Sequence, residues 1–114
     1  MAIPGTVKMM VESSLISYCE QRVPPHARDK ARLGYRFRGN SVTLYESRLA
    51  FGRLDEWVDI VVAQFRFDAK KRTWTLYCPD HNSRWHEDID SDPSEDFEAL
   101  LQEVHEDPTG IFWG

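Results

Sequence analysis

Cysteine is scarce in this chain, and long apolar runs are missing altogether. Two cysteines, Cys19 and Cys78, in 114 residues are too few for the disulfide framework of a small secreted domain. No stretch approaches the roughly 20 apolar residues that a membrane span needs. The start, Met1-Ala2-Ile3-Pro4-Gly5, has neither the charge nor the apolar core of a secretory signal. The expectation is therefore a cytoplasmic protein, off the membrane, with both thiols reduced; a single Cys19–Cys78 bridge is the alternative. Also missing are a glycine-rich phosphate loop, a paired C-x2-C zinc motif and a nucleophile elbow beside a histidine base. These gaps point away from an enzyme, and no cofactor is expected. Fourteen Lys/Arg against nineteen Asp/Glu leave a net charge of −5, which excludes a generally basic nucleic-acid coat.

What is present is aromatic and unevenly charged. Four Trp, four Tyr and six Phe are a generous supply for one small core. A chain of this length buries about two-thirds of its unfolded surface, enough for one core without metals or disulfides. Residues 22–53 hold eight Lys/Arg and two acids, whereas 54–114 hold five Lys/Arg and fifteen acids.

The hydrophobic pattern reads as one domain, 1–114, of α+β class: helix, five-stranded antiparallel meander, helix. Val7, Met10, Val11, Leu15, Tyr18 and Cys19 recur at three- and four-residue spacing, predicting a helix over 6–22. Thr6 is its candidate N-cap, and Pro24-Pro25 stops it. Strands are expected at 32–38, 41–48, 58–67, 73–78 and 84–89. Gly39-Asn40 is a good two-residue hairpin turn. With it Arg38 faces Ser41, Phe37 faces Val42, Arg36 faces Thr43 and Tyr35 faces Leu44, so apolar meets apolar. Residues 49–57 read as a loop with Gly52 and Asp55-Glu56. In the third strand Val61, Ala63, Phe65 and Phe67 take the inner phase; Trp74 and Leu76 do so in the fourth, Trp85 and Ile89 in the fifth. Asp92-Pro93-Ser94-Glu95 reads as N-cap, first-turn proline and capping-box Glu, opening a helix over 93–106 that carries Phe97, Leu100, Leu101 and Val104. Pro108 ends it, and the apolar tail 109–114 is expected to dock. Both helices should share the meander's aromatic face.

Several segments resemble a known family. They are Tyr18-Cys19-Glu20-Gln21-Arg22-Val23-Pro24-Pro25, Arg36-Phe37-Arg38-Gly39-Asn40-Ser41-Val42-Thr43-Leu44, Ala63-Gln64-Phe65-Arg66-Phe67, Trp74-Thr75-Leu76-Tyr77, Arg84-Trp85-His86 and the C-terminal Asp107-Pro108-Thr109-Gly110-Ile111-Phe112-Trp113-Gly114. In the same order over about 15–114, they resemble the small bacterial family catalogued as domain of unknown function 3024. The resemblance implies a stand-alone bacterial protein and carries over no functional residue.

The open sheet face is the leading candidate site. Arg36, Arg38, Arg66 and Arg84 beside Tyr45 and Tyr77 combine cations with aromatic platforms, the two needs of a single-strand nucleic-acid surface. The competing explanations are a solvated sheet face and neutralisation of the arginines by the acidic C-terminal helix. His86 is expected on this face too. The connector Arg22, His26, Arg28, Lys30 and Arg32 offers a second basic stretch, or a solvated link. Cys78, His81 and His86, with Asp80 or Asp88 nearby, are the candidates for a metal-dependent module or enzyme. Cys19 reads as a core thiol, and the acids of 88–96 as helix-dipole partners. The favoured class is a non-enzymatic binding module for single-stranded nucleic acid, or for a protein partner or second copy. As a test of sheet orientation, Phe37→Ala and Trp74→Ala should each cost about 3–5 kcal/mol in urea denaturation if both are core residues.

Overall fold

Helix α1 spans Gly5–Arg22 in the computed structural model, which describes residues 3–23, 25–27, 31–49, 56–88, 91–108 and 110–113. Expectations for Pro24, Arg28, Lys30, the loop at Gly52 and Asp55, and Ile89 fall outside the described residues. The helix opens one residue earlier than expected. Pro4, extended at φ −55° and ψ 144°, is the N-cap, and its carbonyl accepts the Lys8 N–H at 2.9 Å. Thr6 therefore lies inside the first turn and caps nothing. Val11 and Leu15 are buried, with Val7, Tyr18 and Cys19 packed beside them. Met10 departs from its expected inner place: it is 72% exposed, because the stripe runs through 7, 11, 15 and 18 and leaves position 10 on the flank. The helix ends where the residue before a proline is pushed to extended geometry, here Val23 at φ −112°.

After a single 3₁₀ turn at Pro25–Ala27 come strands β1 (Ala31–Arg38), β2 (Ser41–Leu49), β3 (Trp57–Asp68), β4 (Thr73–Pro79) and β5 (Trp85–Glu87). They form one antiparallel sheet in sequence order. The first hairpin has the expected register, Arg38↔Ser41 through Tyr35↔Leu44, with Gly39 at φ +58° supplying the turn. Asn40 then ties this turn to β3, its carbonyl accepting from the Phe67 N–H and its side-chain amide donating to the Phe67 carbonyl.

The β2–β3 ladder contains a bulge. Leu44 pairs with Ala63, but Tyr45 pairs with Val61. The extra residue, Val62, is buried along with Ala63, Phe65 and Phe67. Since side chains alternate faces, the bulge turns Val61 outward, against expectation, and takes Asp59 and Trp57 with it. The β5 assignment also inverts. Tyr77 pairs with Glu87 and Pro79 with Trp85, so Trp85 shares the outer face with Tyr77, and His86 takes the other phase opposite Cys78. The tight 80–84 turn sets this register; the apolar character of Trp85 does not.

Helix α2 occupies Phe97–Glu106, with Asp96 as N-cap accepting from the Glu98 N–H. The expected start at Asp92-Pro93 is displaced because Ser94 pairs with β4: it donates to the Trp74 carbonyl at 2.9 Å and accepts from the Trp74 N–H at 2.7 Å. A backbone held in that bridge cannot also begin a helix. Phe97 then meets Phe65 at 4.7 Å and Trp74 at 5.1 Å between ring centroids. Val42, Leu44, Phe65, Trp74 and Leu76 thus share one core with Val11 and Leu15 of α1 and with Leu100, Leu101 and Val104 of α2. Both helices lie on that sheet face and bond to each other, Ser14 donating to Glu98 at 2.9 Å.

Trp74 is 2% exposed, as a core residue should be. Phe37 is only half-buried at the border of the core, so its removal falls short of the full core cost. The tail docks. Asp107, left-handed at φ 45°, accepts from the N–H groups of Phe112 and Trp113, and the Trp113 indole donates to the Val104 carbonyl at 3.0 Å. Asp107→Ala removes two charge-assisted bonds and puts a poor residue into left-handed geometry. It should cost about 1–3 kcal/mol, read by urea denaturation and by faster amide exchange at Phe112 and Trp113.

Candidate binding face

Because both helices sit on one side, no described residue covers the other side of the sheet, and three of its aromatics are paired with arginines. Arg36 of β1 lies over the Tyr45 ring at 4.6 Å, and Arg66 of β3 lies over Tyr77 at 3.9 Å. A third pair, Arg32 over Trp57 at 4.4 Å, was not expected. Continuous alternation from Phe65 back along β3 would turn Trp57 inward; only the bulge at Val62 brings it out. Tyr45 lies flat across Gly34, where an added Cβ would come within 2.6 Å of its ring. Glycine at this position is what lets the ring rest on the neighbouring strand.

The arginines differ in how they are satisfied. Arg36 donates to Asp59 at 3.2 Å, and Ser47 holds the second oxygen of the same carboxylate. The neutralising acid thus comes from β3; the acids of α2 lie behind the sheet, where Glu98 bonds Ser14 and Glu106 bonds Gln102. Arg66 has no carboxylate partner among the described residues. Its Nε donates to Gln64 at 2.7 Å, and the Gln64 amide donates to Thr43 at 3.0 Å, so the guanidinium is fixed in orientation above Tyr77. Arg38 is exposed and its guanidinium has no partner among the described residues. Arg84 precedes β5 in the 80–84 turn, off the ladder, and does not join the row of paired arginines.

Two hollows indent this face. One of about 280 Å³ includes Arg32, Gly34, Tyr45 and Trp57. The other, about 460 Å³, lies at the turn end of β3 and β4 and includes Arg66, Lys70, Thr75 and Tyr77.

Cys78, His81 and His86 do not come together. The Cys78 thiol meets the His86 carbonyl at 3.6 Å, the His86 ring turns to Asp80 at 2.7 Å, and His81 is exposed in the turn. Among the described residues no three His, Cys, Asp or Glu side chains are grouped to hold a metal. Both cysteines are free. Burial, helped by the charge of Glu20, pushes the Cys19 thiol up to about 11; burial, then Asp88, also raises Cys78. Neither is an activated nucleophile at neutral pH. Among the described residues no helix is long and apolar enough to cross a membrane.

Asp80 organises the β4–β5 turn. Its hydrogen bond from His86, then those from the Arg84 and Asn82 N–H groups, lower its carboxyl from 3.8 to about 2. A carboxyl depressed in the folded state adds stability above its ordinary value and loses it as pH falls toward the folded value. In acid titration followed by circular dichroism, the wild type should lose this contribution between about pH 4 and 2. Asp80→Asn should lack it at neutral pH and show a shallower acid limb.

Among known proteins, the family model described as Domain of unknown function (DUF3024) matches residues 4–114. No curated protein and no solved structure matches the chain.

Proposed function

The chain belongs to the domain of unknown function 3024 family, and from that premise we propose that it is a single-domain, non-enzymatic binding module whose open sheet face takes single-stranded nucleic acid. One observation carries the reading: three arginines of this face lie over three aromatic rings, Arg32 on Trp57, Arg36 on Tyr45 and Arg66 on Tyr77. Single strands are held by cations along the backbone and by flat groups on which bases stack. A guanidinium is itself a stacking plane for bases, so a ring capped by arginine supplies both functions at once. Arg38 adds charge at the first hairpin, whereas Arg84, in the 80–84 turn, stands outside this row. The charge distribution supports the same reading: the chain is acidic overall, yet the acids of α2 lie on the opposite side of the sheet.

The proposal extends to a bacterial cytoplasm, supported by the two free thiols and by the resemblance of the segments described above. A second reading keeps the partner a protein or a second copy of the chain. It is favoured by Met9 and Met10, 73% and 72% exposed, and by Ile16 on the outer side of α1, where no described residue covers them.

Fluorescence anisotropy with a labelled single-stranded oligonucleotide separates the two. Contact with about three phosphates should weaken binding roughly 20-fold between 50 and 200 mM salt. A titration that is flat, or equal at both salts, removes the nucleic-acid reading and leaves the protein partner.

A further inference from the structure

The larger hollow of the open face is bordered by two cations and an aromatic ring, Arg66, Lys70 and Tyr77. It lies where the β3–β4 turn closes, beside the first hairpin turn that Asn40 clamps to Phe67. Its volume of about 460 Å³ is within the usual range of small-ligand sites. Arg66 and Tyr77 form one wall. The guanidinium is 3.9 Å above the ring centre and is held from the side by Gln64, which Thr43 holds in turn. Its plane is therefore set before any ligand arrives, which lowers the ordering cost of binding. Lys70 and Thr75 border the same hollow, and neither side chain has a partner among the described residues. Asp68 also borders it, but one carboxylate oxygen accepts from the Lys70 and Lys71 N–H groups and shapes the turn. Two cations against one carboxylate leave the hollow positive.

We propose that this hollow is a nucleotide subsite: the base stacks on the Arg66 guanidinium, and the phosphate meets Lys70 and Thr75. Gln64 and Thr43 are positioning residues that hold the guanidinium flat. The inference deepens the single-strand reading of the open face and rests on it for the continuation of the strand beyond this nucleotide.

Two titrations test it. In the first, a nucleoside 5′-monophosphate is added to labelled protein and followed by NMR. Saturable shifts of the Arg66 Nε–H, the Tyr77 ring and the Thr75 methyl are expected. Inorganic phosphate producing the same shifts would overturn base stacking. In the second, the oligonucleotide is titrated into variants. Arg66→Lys keeps the charge and loses the plane, and should weaken binding about tenfold with an unchanged salt slope. Gln64→Ala should weaken it several-fold, also without a change of slope. Lys70→Ala should lower the slope by about 0.7. Oligonucleotide binding that is indifferent to Arg66→Lys and Gln64→Ala overturns the subsite and leaves the open-face reading standing. Monophosphate shifts without oligonucleotide binding keep the subsite and overturn the single-strand reading. Silence in both titrations overturns both.

Discussion

Trp74 is held in two independent ways, and the architecture follows from that double grip. Its indole is buried against Phe67 and Phe97, while its N–H and carbonyl are both bonded to Ser94. The first interaction packs β4 against both β3 and α2. The second draws the chain before α2 against that strand, so the helix can begin only at Phe97 and must begin over the core. With α2 seated there and α1 bonded to it through Ser14 and Glu98, both helices cover the same side. No described residue covers the opposite side.

On that open side one extra residue has a large effect. The bulge at Val62 changes the phase of everything before it in β3. Trp57 and Asp59 thereby reach the outer face, where one becomes the ring beneath Arg32 and the other the carboxylate that Arg36 meets. Bulges re-aim side chains in this way at the margins of sheets and beside functional surfaces. Without it the face would carry two arginine–aromatic pairs, and Arg36 would lack its acid.

The charge segregation of the chain also acquires a spatial meaning. The arginines of the first hairpin and the acids of the last helix do not neutralise one another, because the sheet lies between them. Among the described residues Arg36 meets Asp59 of β3, and Arg48 meets Glu46 of its own strand. Arg66 is braced instead by neutral groups, Gln64 and Tyr77. Neutral bracing fixes its orientation and leaves its charge uncompensated, a combination suited to an anionic ligand with a flat part.

The local signals in the sequence were sufficient for much of this. Gly39-Asn40 and the alternation around it set the register of the first hairpin, because a two-residue turn admits one pairing of these apolar positions. The five strands, their order, the two helices, and the outward phase of Arg36, Tyr45, Arg66 and Tyr77 were all legible from periodicity. The bulge was not, because Val61-Val62-Ala63 is apolar throughout and gives alternation nothing to break. The start of α2 is hidden for a related reason: Asp92-Pro93-Ser94-Glu95 is a sound capping signal, yet Ser94 bonds a strand 20 residues upstream. The apolar character of Trp85 argues for an inner face, whereas the 80–84 turn determines an outer one. The sequence by itself determined which residues are apolar, which turn tightly and which alternate, since these depend on neighbours along the chain. Only the tertiary structure decided the face of Trp57, the partner of Arg36 and the bracing of Arg66, since each depends on a residue brought close across the sheet.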